Sequence, residues 1–404
     1  MTAEVAILNT QGVAIAADSA VTINVDGVSK TYYTAQKIFN LSQKHSVGIM
    51  IHGSTMFMQV EWEILINEFS KDLGDRVLPS LKEYAEYFIE FLRDFPHIND
   101  TKQKVYLEIM SYRFFREVKE RYDSDISENH KDKKLTKAQQ NELLTDVLKK
   151  VKEELVDDTF SSTFVDDGFV NDNKAIITKE LDEIFADFPI NAKTKEEMIN
   201  LFLLDIEKAE IGSWWSYQSG IVFSGYGDKE IFPSVIEFSL LGRLGKNILR
   251  NNIKVTDVIS DSTACISPFA QPNVINTFIR GIAPDFKDMI FNELEALVSG
   301  TLNIVGKKHT EELNKLKDEL KSKIEDFQHQ HFSQPILSIV DSLPKSNLAD
   351  MAEALINLTA LRQQVSTEAQ TVGGPTDVAL ITKMDGFVWI KKKQLFQSVQ
   401  YNRA

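Results

Sequence analysis

The chain has 404 residues, with 45 Lys and Arg against 59 Asp and Glu and a formal net charge of −14. That balance argues against a nucleic-acid-binding face, which needs clustered Lys and Arg, while the length allows a large core and two or three domains. Cys265 is the sole cysteine, so no intramolecular disulfide can form. With no apolar run approaching ~18 residues, the sequence predicts a cytoplasmic protein without a membrane partner.

Thr2 follows Met1. Methionine aminopeptidases act when the second side chain is small, so Thr2 is expected to become the first residue. A terminal threonine carries a nucleophilic hydroxyl and, in its own α-amine with a pKa near ~8, a base. Val5 and Ile7, then Val13, Ile15 and Ala17, alternate with their neighbours and predict two strands packed on one face. Asn9 to Gly12 supplies the turn, so the strands run antiparallel and return Asp18 beside Thr2. Lys37 precedes Ile38, Phe39 and Leu41, apolar positions that anchor the next strand. A Lys37 ammonium disfavours protonation of a neighbouring amine, and the Asp18 carboxylate holds that ammonium in place. The pair also has a plain reading as a structural ion pair.

Ser46 to Gly53 predicts a strand, and a helix is expected over Met56–Phe69 after Ser54. Residues 76–210 change character to long amphipathic helices. Within them Leu144, Val147, Leu148, Val151 and Leu155 recur at helical spacing after Thr136, an N-cap. Residues 211–285 return to short apolar strands, with Cys265 as a buried apolar residue. Residues 286–335 are helical again, with Leu313, Leu316, Leu320, Ile324 and Phe327 in a narrow stripe that reads as intramolecular packing. His329 and His331, two apart on a helix, point to different faces and predict no metal site. A further helix is expected with Asn347 as its cap and Leu348, Met351, Ala352 and Leu355 on its buried face. The chain then closes in strands around Gly373-Gly374. The sequence thus divides into a discontinuous core of 1–75, 211–285 and 336–404, interrupted by helical insertions at 76–210 and 286–335.

These segments together resemble proteasome β-type subunits and their bacterial relatives among the N-terminal-nucleophile (Ntn) hydrolases. The pattern is a leading Thr, here Thr2, then Ala16-Ala17-Asp18-Ser19, then Lys37 before an apolar strand, with a short insertion between Asp18 and Lys37. Ile221–Gly227 with Phe232–Phe238 resembles the family's central hairpin, and Val372–Ile381 with Asp385–Phe387 its final strand pair. Two departures stand out. His52 replaces the first glycine of the family's Gly-Gly pair, and Val372 and Ala369 stand where members carry Ser and Asp, with Ser366, Thr367, Glu368 and Thr371 nearby. A further supporting Ser is expected near Ser267–Gln271.

The resemblance implies an α+β fold, a four-layer αββα sandwich, carrying the two large helical insertions. It implies a threonine-type amide hydrolase, a peptidase, with Thr2, Asp18 and Lys37 as the catalytic set. The backbone at His52 and Gly53 forms the oxyanion hole, and Ser19, Thr371 and Gly373 give support; His52 itself reads as a loop-edge histidine. No metal or organic cofactor is called for. The partners implied are a peptide or protein substrate, further copies of the chain in a homo-oligomer, and an ATP-dependent unfoldase or other protein. A noncatalytic scaffold subunit and a small-molecule amidase are the alternatives.

Overall fold

The opening strands β1 (Glu4–Asn9) and β2 (Gly12–Ala17) pair antiparallel, with Glu4 opposite Ala17 and Asn9 opposite Gly12. The computed structural model that places them describes residues 2–25, 28–129, 135–156, 168–188, 190–208, 218–250, 253–258, 264–305, 309–367 and 370–393. Met1, Glu368 and Ala369 lie outside the described residues. Every residue of β1 and β2 is buried, so both faces of the hairpin are covered. Val5 and Ile7 share a cluster with Ala14 and Ala16, whereas Val13, Ile15 and Ala17 lie in another with Ala6 and Leu8. The expected single apolar face is therefore corrected. Directly opposed residues share a face, and this register sets Val5 against Ala16.

The hairpin β3 (Val21–Val25) and β4 (Val28–Tyr32) fills the insertion between Asp18 and Lys37. Next come β5 (Ile38–Ser42), with Ile38, Phe39 and Leu41 buried as expected, and β6 (His45–Gly53). The helix expected from Met56 does not begin there. A short hairpin, β7 (Met56–Phe57) and β8 (Val60–Glu61), intervenes, and α1 (Trp62–Leu73) starts only after it. Met58 and Gln59 take positive φ of 50 and 62, which no helix accommodates, and Phe57, Met58 and Val60 are buried by the turn.

The helices α2 (Leu81–Asp94), α3 (Asp100–Asn129), α4 (Lys137–Val156), α5 (Phe169–Asp172), α6 (Lys174–Ile184) and α7 (Ala192–Lys208) follow. Thr136 caps α4 as expected, its Oγ1 accepting from the Gln139 N–H at 3.4 Å. Strands resume with β9 (Ser219–Gly225), β10 (Ser234–Leu244), β11 (Asn247–Arg250), β12 (Lys254–Asp257) and β13 (Ala264–Phe269). The helices α8 (Asn273–Arg280), α9 (Pro284–Val305), α10 (Thr310–Gln328), α11 (Gln334–Ser342) and α12 (Lys345–Gln364) precede the closing pair β14 (Asp377–Thr382) and β15 (Gly386–Lys391). Helix α12 begins earlier than expected: Pro344 is its cap and Asn347 sits inside the first turn, donating its N–H to the Pro344 carbonyl at 3.0 Å. Proline suits a helix start because its φ is preset. Cys265 is half-buried, with Sγ 3.4 Å from Ser267 Oγ.

The chain is thus a mixed α/β protein with antiparallel sheets. One sheet has the order β13-β1-β2-β14-β15, and the other β11-β10-β9-β6-β5 with β12 beside β10. Apolar clusters lie on three levels. Helices α8, α11 and α12 cover the outer face of the first sheet through Ile275, Val340, Leu348 and Leu355. Ile15, Met50, Val222 and Ile381 meet between the sheets. Helices α1 and α2 cover the outer face of the second sheet through Leu65, Phe69, Tyr84 and Phe88. The stretch 76–210 therefore opens with a helix that forms part of the core over the second sheet's outer face. Its later helices build a separate cluster that reaches the sheet through Leu241, Leu244 and Leu249. Among the described residues no helix is long and apolar enough to cross a membrane.

Candidate active site

The β1–β2 register places the residue after Ala17 beside the residue before Glu4. Asp18 N–H donates to the Ala3 carbonyl at 3.1 Å, and Asp18 Oδ1 accepts from the Ala3 N–H at 3.0 Å. Thr2, the next residue outward, is only 6% exposed. Lys37, immediately before β5, comes from the facing sheet. Its Nζ is 2.6 Å from Asp18 Oδ1, and both side chains are almost fully enclosed. Asp18 Oδ2 accepts from the Ala20 N–H at 3.1 Å and the Gly373 N–H at 3.0 Å. Four donors from four segments of chain thus converge on one carboxylate, which offsets the cost of burying its charge. Burial pushes the Lys37 ammonium pKa below its ordinary value, and the Asp18 charge and hydrogen bond work against that.

Ser19 and Gly373 meet beside Asp18. The Ser19 N–H donates to the Gly373 carbonyl at 3.1 Å, and the Ser19 hydroxyl donates to the Pro375 carbonyl. Thr371 is buried but belongs to a neighbouring amide network with Gln271 and Gln363. Gln271, at the end of the 267–271 stretch, is thus the residue of that stretch that joins the network.

At the end of β6, Gly53 takes φ +81 and lies so close to the Gln218 carbonyl that a Cβ would sit 2.4 Å from it. Only glycine fits there. His52 is a strand residue, not one at a loop edge. Its ring lies over Gly220, where a Cβ would be 1.9 Å from Cε1, and stacks on Phe269 with centroids 6.4 Å apart. Burial, with a smaller push from Lys37, takes its pKa down to about 4, so the ring is neutral at pH 7. Its Nε2 is enclosed with no hydrogen-bond partner among the described residues.

Glu4 was not singled out from the sequence. By strand alternation it shares the inter-sheet side of Ala6 and Leu8. It is completely buried, and neither carboxyl oxygen has a partner among the described residues. Burial pushes its pKa up to about 8, against the pull of Lys37 and with help from Asp18 and Glu237. Glu4 therefore holds its proton at neutral pH. The signal for it was the one acidic residue of β1, ahead of the apolar run Val5–Leu8 and two positions from the candidate nucleophile. A second buried pair, Asp377 with Lys393, lies beside Ala17, the Lys393 N–H donating to Asp377 Oδ1 at 2.7 Å.

A cavity of about 630 Å³ opens next to the end of β6, lined by Ser54, Met56 and Met58 on one side and by Tyr106, Ile109 and Tyr112 of α3 on the other. Thr2, Asp18 and Lys37 do not line it. Among the described residues no three His, Cys, Asp or Glu side chains group as metal ligands would. No protein-family model matches this sequence, and no curated protein matches it either.

Proposed function

We propose that the chain is a threonine-type amide hydrolase, a peptidase, built on the four-layer αββα plan of proteasome-like Ntn hydrolases. The layer order is supported by the three apolar clusters, helices on sheet, sheet on sheet, sheet on helices. The chemistry rests on one observation above the others: the buried Asp18 ties the Ala3 backbone, the Lys37 ammonium and the Gly373 turn together immediately beside Thr2.

In this reading Met1 is removed and the Thr2 amine becomes the base for its own hydroxyl. Thr2 Oγ attacks the amide carbon, and its proton passes to the amine. Lys37, enclosed and cationic, disfavours a second positive charge on the amine and stabilises the developing alkoxide. The backbone at His52 and Gly53, at the end of β6, serves in this reading as the oxyanion hole for the tetrahedral intermediate. The amine then returns the proton to the leaving nitrogen, and water activated by the same amine releases the acyl group. No step calls on a cofactor. Assembly into a homo-oligomer, and delivery of substrate by an ATP-dependent unfoldase, belong to the same reading.

Turnover of a peptide panel by purified variants tests it. Thr2→Ala should still lose Met1 but hydrolyse nothing, and Thr2→Ser should keep partial activity. Lys37→Ala should stay folded and lose roughly a hundredfold or more in rate, with Lys37→Arg a poor replacement. Full activity in Thr2→Ala removes the nucleophile assignment. A noncatalytic scaffold is the second reading, favoured by Val372, an apolar and fully buried residue at the position where the resemblance expects a serine. It predicts a folded oligomer in which Met1 is retained.

A further inference from the structure

Gln363, in the last turn of α12, is 6% exposed and turns its amide oxygen wholly to the segment that leads to Gly373. Its Oε1 accepts from two consecutive backbone N–H groups, Thr371 at 2.9 Å and Val372 at 2.8 Å. Its Nε2 donates to Gln271 Oε1 at 2.5 Å and reaches Thr371 Oγ1 at 3.3 Å. Gln271 follows Ala270, a non-glycine residue held at φ 63, and its own Nε2 lies 3.4 Å from Thr371 Oγ1. Three side chains from α12, the end of β13 and the approach to β14 thus close a buried polar network with partners on each side. The next residue along, Gly373, donates its N–H to Asp18 Oδ2 and accepts from the Ser19 N–H.

We infer that Gln363 is a positioning residue for the Asp18–Lys37 pair, acting through the Thr371–Gly373 turn and supplying from a helix the support that Val372 and Ala369 lack the groups to give. The reasoning is geometric. Two adjacent N–H groups on one carbonyl oxygen fix the orientation of two peptide planes, and the third plane in line carries the N–H that Asp18 accepts. Among the described residues, 371–373 pair with no strand, β14 beginning only at Asp377. While the Ser19 N–H and Asp18 hold the Gly373 end, the Gln363 amide holds the two peptides that lead into it. Loss of the Gly373 donor leaves the buried Asp18 charge less compensated and its hold on Lys37 altered.

This inference rests on the proposed hydrolase for its kinetic arm only, so a second readout is included. Gln363→Leu keeps the volume and removes the amide. Gln363→Glu keeps an acceptor for both N–H groups, and the Gln271 amide can turn to donate to the new oxygen. With Thr2→Ala as the inactive control, Gln363→Leu should lose kcat about ten- to a hundredfold at little changed KM, and Gln363→Glu should recover most of it. Independently of turnover, the Lys37 side-chain NMR titration in Gln363→Leu should move upward by roughly half a pH unit or more, as Asp18 loses a donor and grips the ammonium harder. In Gln363→Glu it should stay near wild type. A folded Gln363→Leu protein with an unchanged Lys37 titration overturns the inference whether or not the chain hydrolyses anything. So does a Gln363→Glu protein as impaired as Gln363→Leu. If wild type and Thr2→Ala are equally inert while the Lys37 titration moves as stated, the positioning role stands and the proposed function fails.

Discussion

Two helical regions interrupt the strands, and they are stabilised in different ways. Helices α3, α4, α6 and α7 bury an aromatic and aliphatic core of their own, with Phe114, Phe115 and Phe202 in mutual ring contact, and fuse it to β10 and β11. The α9–α10 pair instead leaves several of its large apolar residues outside, Leu297 at 67% exposed and Leu316 at 61%, and buries none of them fully among the described residues. The stripe from Leu313 to Phe327, expected to pack within the molecule, therefore turns Leu316, Leu320 and Phe327 to solvent. What joins α9 to α10 includes ion pairs between half-buried lysines and exposed carboxylates, Lys321 with Glu295 at 2.6 Å and Lys287 with Glu325 at 2.8 Å. The lesson is that similar amphipathic sequences diverge when only one of them has a sheet edge and enough partners to enclose its stripe.

The largest effect that tests this contrast is deletion. Removing residues 76–210 strips α2 from the outer face of the second sheet and exposes Leu241, Leu244 and Leu249, so the product should not fold. Removing 286–328 should leave a cooperatively folding protein by circular dichroism. A folded 76–210 deletion would break the comparison. At the level of one side chain, Phe202→Ala should cost about 3–5 kcal/mol in denaturant unfolding, whereas Leu316→Ala should stay within roughly 0.5 kcal/mol. Equal costs would mean that the two regions are packed alike.

Buried and exposed charges extend the contrast. Glu4 is raised from 4.5 to about 8, so between those values the folded state keeps a proton that the unfolded state has released. Its contribution to stability is present below about pH 4.5 and is lost as pH climbs through about 8. Glu4→Gln should therefore gain stability over wild type as pH rises across this window, by about 2–5 kcal/mol at its alkaline end. A constant difference across the window would mean that Glu4 is solvated. His52 has the opposite sign. Lowered from 6.5 to about 4, its contribution is present above pH 6.5 and lost as pH falls through about 4. The smallest change expected is at the half-buried Lys321, whose ion-pair partner Glu295 is exposed; Ala there should leave the unfolding midpoint nearly unmoved at physiological salt.

Much of the site was legible because it is local. A turn at Asn9–Gly12 and antiparallel pairing are enough to return Asp18 to Thr2, and Lys37 before an apolar strand is a short-range pattern. The parts that escaped depend on register or on distant chain. Which face Val5 and Ile7 take is decided by a one-residue choice of pairing. The β7–β8 hairpin exists because Met58 and Gln59 accept left-handed dihedrals that nothing in their side chains advertises. Gln363 lies near residue 371 in sequence, but its meaning comes from Gln271 and Asp18, which only the folded sheets bring within reach.

The central claim is that Thr2 is a processed, acylable nucleophile. Peptide mapping by mass spectrometry after exposure to an acylating peptide ester tests it most directly. The account predicts an N-terminal peptide beginning at Thr2, carrying the acyl group in wild type and unmodified in Thr2→Ala. An N-terminal peptide that retains Met1, or an acyl group that persists on the N-terminal peptide of Thr2→Ala, would contradict it.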